Sequence, residues 1–555
     1  MNHQNAPPQA SGSNAATSLS ASFDAAVSRF AARPALDFLG RRHTYAQLGT
    51  LVDRAAAGLQ KLGVARGVKI GLCLPNTPYS VIFYYAILKT GGTVVNFNPL
   101  YTAREIESLA RSCHVSILVS LDIAMIQDKI TQLALSGLFS RVIVCRMTAA
   151  LPLFKSLAFR VLRRRDLARI PPGVHFLTFE QLIAGATAPT PVEIHPELDI
   201  AVLQFTGGTT GTPKAAMLTH ANLTANIAQI KAVLPDIAPG QERILGVLPF
   251  FHVFAMTGVM NLGLSVGAEL LLLPRLDIKT LMRTLRRRRP TILPGVPTLF
   301  TAISNAAESS KKIDLSFLKF CISGGAPISA EALERFERLS HCHILEGYGL
   351  SETSPVVTFN TAGEMRHGSV GQALPGTTLE IRDPENPTRL LPQGERGEIC
   401  VRGPQVMRGY YEQPTETANA FIEGAFRTGD IGYLDADGYL FIVDRIKDLI
   451  LCGGYNVYPR MIEEAAYQHP AIYEAIAIGI PDTYHGQVPK LFVTLRPGCS
   501  ATPVDILHFL AERLSKIELP KMIEIRETLP KTMIGKLSKK ELLAEEAMGP
   551  RPLEL

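Results

Sequence analysis

Short apolar runs, each bounded by turn residues, recur along the first two-thirds of the chain and limit how it can fold. They are continuous rather than alternating, which is typical of strands covered on both faces. The runs are VKIGLCLP (68–75), GTVVNFNP (92–99), VSILVS (115–120), RVIVC (141–145), DIAVLQFT (199–206) and AELLLLP (268–274). The stretches YSVIFYYAILKTGG and AREIESLARSC have the pattern of crossover helices. We therefore expect an α/β fold with largely parallel sheets.

The pattern changes twice toward the C-terminus. From about residue 365, segments such as GTTLEIRD and GYLDADGYLFIVD predict a β-rich subdomain. From about residue 446, a helix, two strands and a second helix predict a small α+β domain. A length of 555 residues allows several domains. The predicted divisions are a flexible tail at 1–21, a large domain at 22–444, a hinge at 445–448 and a small mobile domain at 449–555.

The mostly apolar residues 244–274 have to be weighed as a membrane span. Pro249, His252, Glu269 and several glycines interrupt the run, so a buried α/β core is the better interpretation. Eight cysteines without CxxC spacing indicate neither a zinc site nor a disulfide framework. The N-terminal segment lacks a charged start and an apolar core, so we expect no secretion and a reducing, cytoplasmic location.

The formal charge of +6 is too small for a general nucleic-acid binder, but it is unevenly distributed. Residues 151–170 and 279–290 carry +5 and +6, which leaves the remaining chain at −5. Within 151–165, apolar residues at helical spacing are surrounded by Lys and Arg. This pattern fits either a contact with an anionic membrane surface or a helix docked on its own core with a solvated basic face. The run RRRR (286–289) before Pro290 predicts a solvated helix end.

Residues 205–214, FTGGTTGTPK, directly follow a strand pattern. Glycines let backbone N–H groups approach phosphate oxygens, threonine hydroxyls add donors and Lys214 adds a positive charge. The spacing matches neither the GxxxxGK[ST] loop nor the GxGxxG fingerprint. A flexible glycine turn is the plain alternative. The composition favours phosphate handling without naming the ligand.

The segment TGGTTGTPKAAMLTH (206–220) resembles the phosphate-loop signature of the adenylate-forming superfamily, which includes acyl-CoA synthetases, adenylation domains and luciferases. That family usually has Gly where Ala215 stands. Further segments resemble its other motifs, in the same order. They are LPFFHVFA (248–255), SGGAPIS (323–329), EGYGLSET (346–353), RTGD (427–430), DRIKD (444–448) and LPKTMIGKLSKK (529–540). The resemblance begins near residue 22, covers nearly all of the remaining chain and is strongest to bacterial long-chain fatty acid:CoA ligases.

The resemblance implies a site residue by residue. The catalytic groups it implies are Lys536, Glu352, Lys214 and His252. The ATP or AMP contacts it implies are Thr206, Gly207, Gly208, Thr209, Thr210, Gly211, Thr212, Lys214, Gly324, Gly325, Ala326, Pro327, Glu346, Gly347, Tyr348, Gly349, Ser351, Asp430, Ile442, Arg445 and Lys536. It also implies Mg²⁺ at Glu352 and Thr206, a CoA path along Gly453, Gly454 and Tyr455, and a hinge at Lys447.

The function that the resemblance implies is ATP-dependent conversion of a medium- or long-chain fatty acid to acyl-AMP, followed by transfer to coenzyme A. An aryl or branched acid, or transfer to a carrier protein, is the alternative. A non-catalytic adenylate- or lipid-binding module is disfavoured because all the catalytic side chains are present. The expected partners are the fatty acid, ATP, coenzyme A and an anionic membrane surface at 151–165; the sequence leaves the oligomeric state open, including a homodimer.

Overall fold

The computed structural model describes residues 17–173, 175–206, 213–234, 236–310, 313–361, 363, 365–453, 455–531 and 537–547. The helices are α1 (Leu19–Arg29), α2 (Tyr45–Lys61), α3 (Pro78–Lys89), α4 (Ala103–Ser112), α5 (Ala124–Leu135), α6 (Met147–Ala150), α7 (Leu153–Leu162), α8 (Phe179–Leu182), α9 (His220–Val233), α10 (Val253–Ala255), α11 (Leu262–Ser265), α12 (Ile278–Arg288), α13 (Pro297–Ser310), α14 (Ala330–Ser340), α15 (Pro414–Asn419), α16 (Pro459–Tyr467), α17 (Pro503–Ala511) and α18 (Lys539–Ala547).

The strands are β1 (Pro34–Phe38), β2 (Arg41–Thr44), β3 (Lys69–Leu72), β4 (Thr93–Asn96), β5 (Ile117–Leu121), β6 (Arg141–Cys145), β7 (Phe176–Thr178), β8 (Ile200–Thr206), β9 (Lys214–Thr219), β10 (Arg243–Gly246), β11 (Glu269–Leu272), β12 (Ile292–Gly295), β13 (Phe320–Gly324), β14 (Ile344–Gly349), β15 (Val356–Phe359), β16 (Gln372–Ala373), β17 (Thr378–Arg382), β18 (Gly397–Arg402), β19 (Phe421–Ile422), β20 (Ala425–Leu434), β21 (Leu440–Arg445), β22 (Ile450–Cys452), β23 (Tyr455–Val457), β24 (Ile472–Asp482), β25 (Gly486–Leu495) and β26 (Met522–Ile525).

Two large, mainly parallel sheets form the body of the protein. The first has the strand order β7-β6-β5-β3-β4-β8-β9, and only its β8–β9 pair is antiparallel. The second has the order β16-β15-β14-β13-β12-β10-β11-β1-β2 and is parallel from β14 to β1. Helix α3, which is apolar on all sides, is buried along nearly its whole length in the main core. The predicted α/β class is confirmed.

Two smaller sheets complete the fold. Strands β17 to β21 form an antiparallel sheet, as the turn-rich sequence predicts. Strands β22 to β26 form the sheet of the small α+β domain, and α16 and α17 contribute to the core of that domain. The long hairpin β24–β25 joins the two longest strands of this domain.

The apolar stretch 244–274 is divided among several buried elements, as expected from its interruptions. It contains β10, α10, a π-helical turn at Met256–Asn261, α11 and β11. The turn and both strands lie in the core. Within the part of the chain that the structure describes, no helix is both long enough and apolar enough to cross a membrane.

Candidate active site

The two ends of the glycine- and threonine-rich loop are held together by an antiparallel strand pair. Thr206 ends β8, Lys214 begins β9, and the two residues are partners in the register. The loop thus leaves and re-enters the sheet at one point. Its predicted residues Gly207, Gly208, Thr209, Thr210, Gly211 and Thr212 lie outside the described residues.

Lys214 faces two side chains of the segment RGYYEQPTE. Its Nζ forms an ion pair with Glu416, at the start of α15. The same Nζ lies 5.1 Å from the centre of the Tyr410 ring, within the range of a cation–π contact. The segment is fixed beside β9 by backbone hydrogen bonds, including one of 2.9 Å from Tyr411 to Ala215. These contacts give the ammonium group of Lys214 a defined position.

Tyr410 also connects Lys214 to Glu352. Its hydroxyl donates a hydrogen bond of 2.9 Å to Oε1 of Glu352, a carboxylate buried in the short 3₁₀ helix after β14. Burial raises the pKa of Glu352, and the hydrogen bond from Tyr410 and the charge of Arg445 offset only part of that rise. Ser351 precedes it in the same turn, where it is half-buried.

Asp430 and Arg445 face each other across the β20–β21 pair. Nε of Arg445 lies 3.1 Å from Oδ1 of Asp430, and the hydroxyl of Tyr348 donates a hydrogen bond of 2.6 Å to Oδ2. Asp430 is only 4% exposed. Burial raises the pKa of Asp430, whereas the positive charge of Arg445 acts in the opposite direction. The Asp430 charge, in turn, raises the pKa of Arg445.

Tyr348 is brought to Asp430 because β14 meets the small antiparallel sheet. Tyr348 and Ile442 pack against one apolar cluster of that sheet. Glu346 and Gly347 precede Tyr348 in β14. Gly349 follows it, and a Cβ there would lie 2.0 Å from the carbonyl oxygen of Pro355, so only glycine fits.

The turn after β13 is a neighbour of β14 and of the aromatic segment at 250–254. Gly324 ends β13, Gly325 has a φ of +82°, and Ala326 and Pro327 lead toward α14. A Cβ on Gly324 would lie 3.2 Å from the ring of Phe254.

Glu346 lies on β14 with its carboxylate largely buried. Burial raises the pKa of Glu346 to about 7. A backbone N–H of Ile328 and the charge of Arg460 offset only part of the effect of burial.

His252 directly precedes α10, with its ring centre 4.8 Å from that of Phe251. Directly beside it, Phe250 and Phe251 line a narrow cavity whose other walls are mainly apolar. These walls are Leu72, Leu74, Ser80, Tyr84, Asn96 and Met260. Residues 294–303 lie elsewhere, and their Leu299, Phe300 and Ile303 belong to a separate buried core cluster.

The predicted hinge and CoA segments lie at and beyond the end of β21. Lys447 is in a 3₁₀ turn at Ile446–Asp448, and burial lowers its pKa. Gly453, with a φ of +59°, turns the β22–β23 hairpin, and Tyr455 on that hairpin is 65% exposed. Gly454 and Lys536 lie outside the described residues.

Sequence reasoning missed Tyr410 and Glu416. Tyr410 lies 58 positions from Glu352 and Glu416 lies 202 positions from Lys214, so no local spacing connects them. The sequence feature that could have indicated them is the pair of adjacent tyrosines in RGYYEQPTE, just before a helix that begins at Pro414. The structure brings Thr206, Lys214, Glu352, Tyr348, Asp430 and Arg445 into one connected region.

Several known proteins are similar to this chain in sequence and in fold. The model of the AMP-binding enzyme family matches residues 23–411, and that of the AMP-binding enzyme C-terminal domain matches 461–536. A long-chain-fatty-acid–CoA ligase of Bacillus subtilis is 38% identical, over 94% of this chain and 93% of its own length. A 4-coumarate–CoA ligase of Humulus lupulus is 32% identical, over 94% and 92%. The crystal structure of ATP-bound MatB from Rhodopseudomonas palustris has a TM-score of 0.83 and 26% identity, covering 96% of this chain and all of MatB. The chain belongs to the AMP-binding enzyme family.

Proposed function

We propose that the protein is an AMP-forming acid–thiol ligase that activates a medium- or long-chain fatty acid with ATP and transfers the acyl group to coenzyme A. The observation that carries the proposal is the connected set of contacts from Lys214 through Tyr410 to Glu352, near the buried Asp430 and its exposed partner Arg445. The charges of Arg445 and Asp430 both act on Glu352. A loop lysine, a buried acid and a buried aspartate paired with an exposed arginine suit a nucleotide that reacts at its α-phosphate.

In the first half-reaction, a carboxylate oxygen of the acid attacks the α-phosphorus, the bond to the bridging oxygen breaks and pyrophosphate leaves. Negative charge accumulates on the phosphoryl oxygens, so cations and donors held in place lower the barrier. Lys214 supplies the cation at the loop, and the loop threonines supply donors. Lys536 is proposed to neutralise charge between the carboxylate and the α-phosphate.

The nucleoside is assigned to the region around β14 and β20. Each oxygen of Asp430 already accepts from one partner and keeps a second lone pair for a ribose hydroxyl. The ring of Tyr348 and the turn at Gly324–Pro327 are proposed to hold the adenine. The buried position of Asp430 strengthens such hydrogen bonds, because solvent competes less there.

Glu352 and Thr206 are the residues that would hold Mg²⁺. No group of three or more His, Cys, Asp and Glu side chains that could hold a metal occurs among the described residues. Mg²⁺ commonly takes one or two carboxylates together with substrate phosphates, so one buried carboxylate near the phosphate loop fits it. When bound, the ion would offset phosphate charge.

In the second half-reaction, the thiol of coenzyme A loses its proton to solvent, its sulfur attacks the acyl carbon and AMP leaves. We assign the pantetheine path to Gly453, Gly454 and the exposed Tyr455. Lys447 is proposed as the hinge, because a few backbone angles in the 3₁₀ turn between the domains could absorb a rotation.

The identity of the acid is argued from the relatives. The Bacillus subtilis relative, 38% identical, is a long-chain-fatty-acid–CoA ligase, which supports an alkyl acid. The Humulus lupulus relative is a 4-coumarate–CoA ligase, so an aryl acid is the second candidate. The cavity lined by Phe250 and Phe251 holds about 10 Å³, which is the space of one water and does not decide between them. We propose a cytoplasmic location, because ATP and coenzyme A are the co-substrates. Collection of the acid from a membrane is a separate proposal, since it depends on residues 151–165 and not on the ATP site.

The test is ATP–pyrophosphate exchange across fatty acids of increasing length and aryl acids, followed by detection of the CoA thioester. The proposal expects exchange and thioester with alkyl acids. Exchange with aryl acids alone would favour the second candidate. Exchange without thioester would mean that the acyl group goes to another acceptor. The absence of both exchange and thioester would contradict the proposal of a ligase.

A further inference from the structure

Helix α7 exposes its apolar side chains. Leu153, Phe154, Leu157, Val161 and Leu162 are between 64% and 87% exposed. No other helix or strand in the described ranges carries more than two exposed large hydrophobic side chains. Contiguous exposed apolar patches of this kind usually mark an interaction surface.

The opposite side of the same helix attaches it to the protein. Ser156 is the buried residue of α7, and Phe159 packs against the main core. Lys155 donates a hydrogen bond of 2.6 Å from Nζ to the carbonyl oxygen of Leu39. The helix is thus inverted relative to an ordinary surface helix, whose apolar face is buried. Of the two interpretations that the sequence left open, the structure contradicts the one in which this face docks on its own core.

The second basic segment lies next to the first. A Cβ on Gly40, in the β1–β2 turn, would lie 3.7 Å from Pro152 and 3.9 Å from Nη2 of Arg288, at the end of α12. Arg41 from the same turn donates to the carbonyl oxygen of Ala149. The two segments that carry the excess positive charge, more than 100 residues apart in sequence, therefore meet at this turn.

Nearby acids neutralise only part of this charge. Asp166 pairs with Arg163, and Asp37 pairs with Arg288 at 2.7 Å. In the part of the chain covered by the structure, no ion pair forms at Arg164, Arg165, Arg286 or Arg287.

We propose that α7 and these basic residues form a docking surface for an anionic phospholipid bilayer. The five exposed side chains would enter the interface between headgroups and acyl chains, and the Lys and Arg side chains would contact the phosphates. A second copy of the chain fits less well, because a two-fold interface on this face would place arginines against arginines. The inference does not depend on the proposed reaction.

Flotation of the full-length protein with vesicles tests the surface, without ATP or fatty acid. We expect binding to vesicles of phosphatidylcholine mixed with phosphatidylglycerol, weak binding to phosphatidylcholine alone, and weaker binding at high salt. Each Lys or Arg near the surface contributes roughly five-fold to partitioning. Replacing Arg163, Arg164 and Arg165 by Gln should therefore lower binding about 100-fold at low salt. The matched control replaces the exposed Lys516, Lys521 and Lys540 by Gln and should retain binding.

A second variant, Phe154→Ser with Leu157→Ser, removes apolar contacts at exposed positions and should also lose binding. Its control, Met125→Ser with Leu135→Ser, removes side chains of similar exposure on α5. Binding that is the same for both vesicle types, or that survives both α7 variants, overturns the proposal. Failure to bind vesicles, together with a molecular mass halved by Phe154→Ser and Leu157→Ser, would instead identify an interface between two copies. ATP–pyrophosphate exchange with a short, water-soluble acid should be unchanged in all variants, which separates this test from that of the reaction.

Discussion

Tyr410 is the residue through which the phosphate loop and the buried acid are connected. Its ring lies against the Lys214 ammonium group, and its hydroxyl donates to Glu352. We infer that it is a positioning residue, since it acts through these two groups.

Replacing Tyr410 by Phe removes the donor to a buried carboxylate. A hydrogen bond to a charged group contributes about 1.5–3 kcal/mol, so kcat/KM for ATP should fall roughly 10- to 100-fold. The hydrogen bond lowers the pKa of Glu352, so its loss should raise that pKa further. The acidic limb of the pH–rate profile should then move to higher pH. Tyr411→Phe is the control, and an unshifted profile in Tyr410→Phe would contradict the role.

The raised pKa of Glu346 predicts that the stability of the folded protein depends on pH. Folding raises the pKa of its carboxyl from 4.5 to about 7, so the folded state favours the protonated form. Ionisation of this buried carboxyl lowers the free energy of unfolding. The loss is absent below pH 4.5, grows as the pH rises and reaches roughly 3 kcal/mol above pH 7. Glu346→Gln should therefore raise the free energy of unfolding at pH 8.5 and change it little at pH 4.5, as measured by urea unfolding. The exposed Glu395→Gln is the control. A gain of equal size at both pH values would exclude titration of Glu346 as its cause.

At the scale of elements, α15 supplies the carboxylate that pairs with Lys214, the ion pair being formed by Glu416. We infer that this carboxylate competes with the phosphates of ATP for the ammonium group. A partly exposed ion pair contributes about 0.5–1 kcal/mol, so Glu416→Gln should lower KM for ATP about two- to five-fold and leave kcat unchanged. Glu412→Gln, which affects a carboxylate 3.0 Å from His114, is the control. A rise in KM would mean that Glu416 orients Lys214 for ATP.

The elements themselves were largely predictable, whereas their contacts were not. Continuous Val, Ile and Leu runs identified β3, β5 and β6, because a parallel strand covered on both faces must be apolar throughout. Periodicity also identified α7, but it could not show which face is covered. The contact between α12 and the β1–β2 turn could not be predicted from the sequence either, because it depends on tertiary packing.

At the scale of the whole molecule, the small domain contacts the rest through polar groups. Nη1 of Arg496 lies 2.7 Å from Oε1 of Glu331, and the backbone N–H of Arg460 donates a 2.8 Å hydrogen bond to the buried Asp444. Arg396 lies 5.9 Å from the ring centre of Tyr458. The Arg496–Glu331 pair is partly exposed, and such pairs stabilise an interface only weakly, so this contact could be exchanged if the domain rotates.

The proposed rotation of the small domain predicts that the residues of this domain serve different half-reactions. If Lys536 acts only when this domain closes for adenylation, Lys536→Ala should lower the rate of acyl-AMP formation far more than thioester formation from supplied acyl-AMP. The loss in the first step should reach roughly 100-fold or more, because a charge placed at the developing transition state is removed. Single-turnover measurements of the two steps provide the comparison, with the exposed Lys540→Ala as control. Equal losses in both steps would contradict two orientations of the domain, since a residue used in both steps needs no rotation between them.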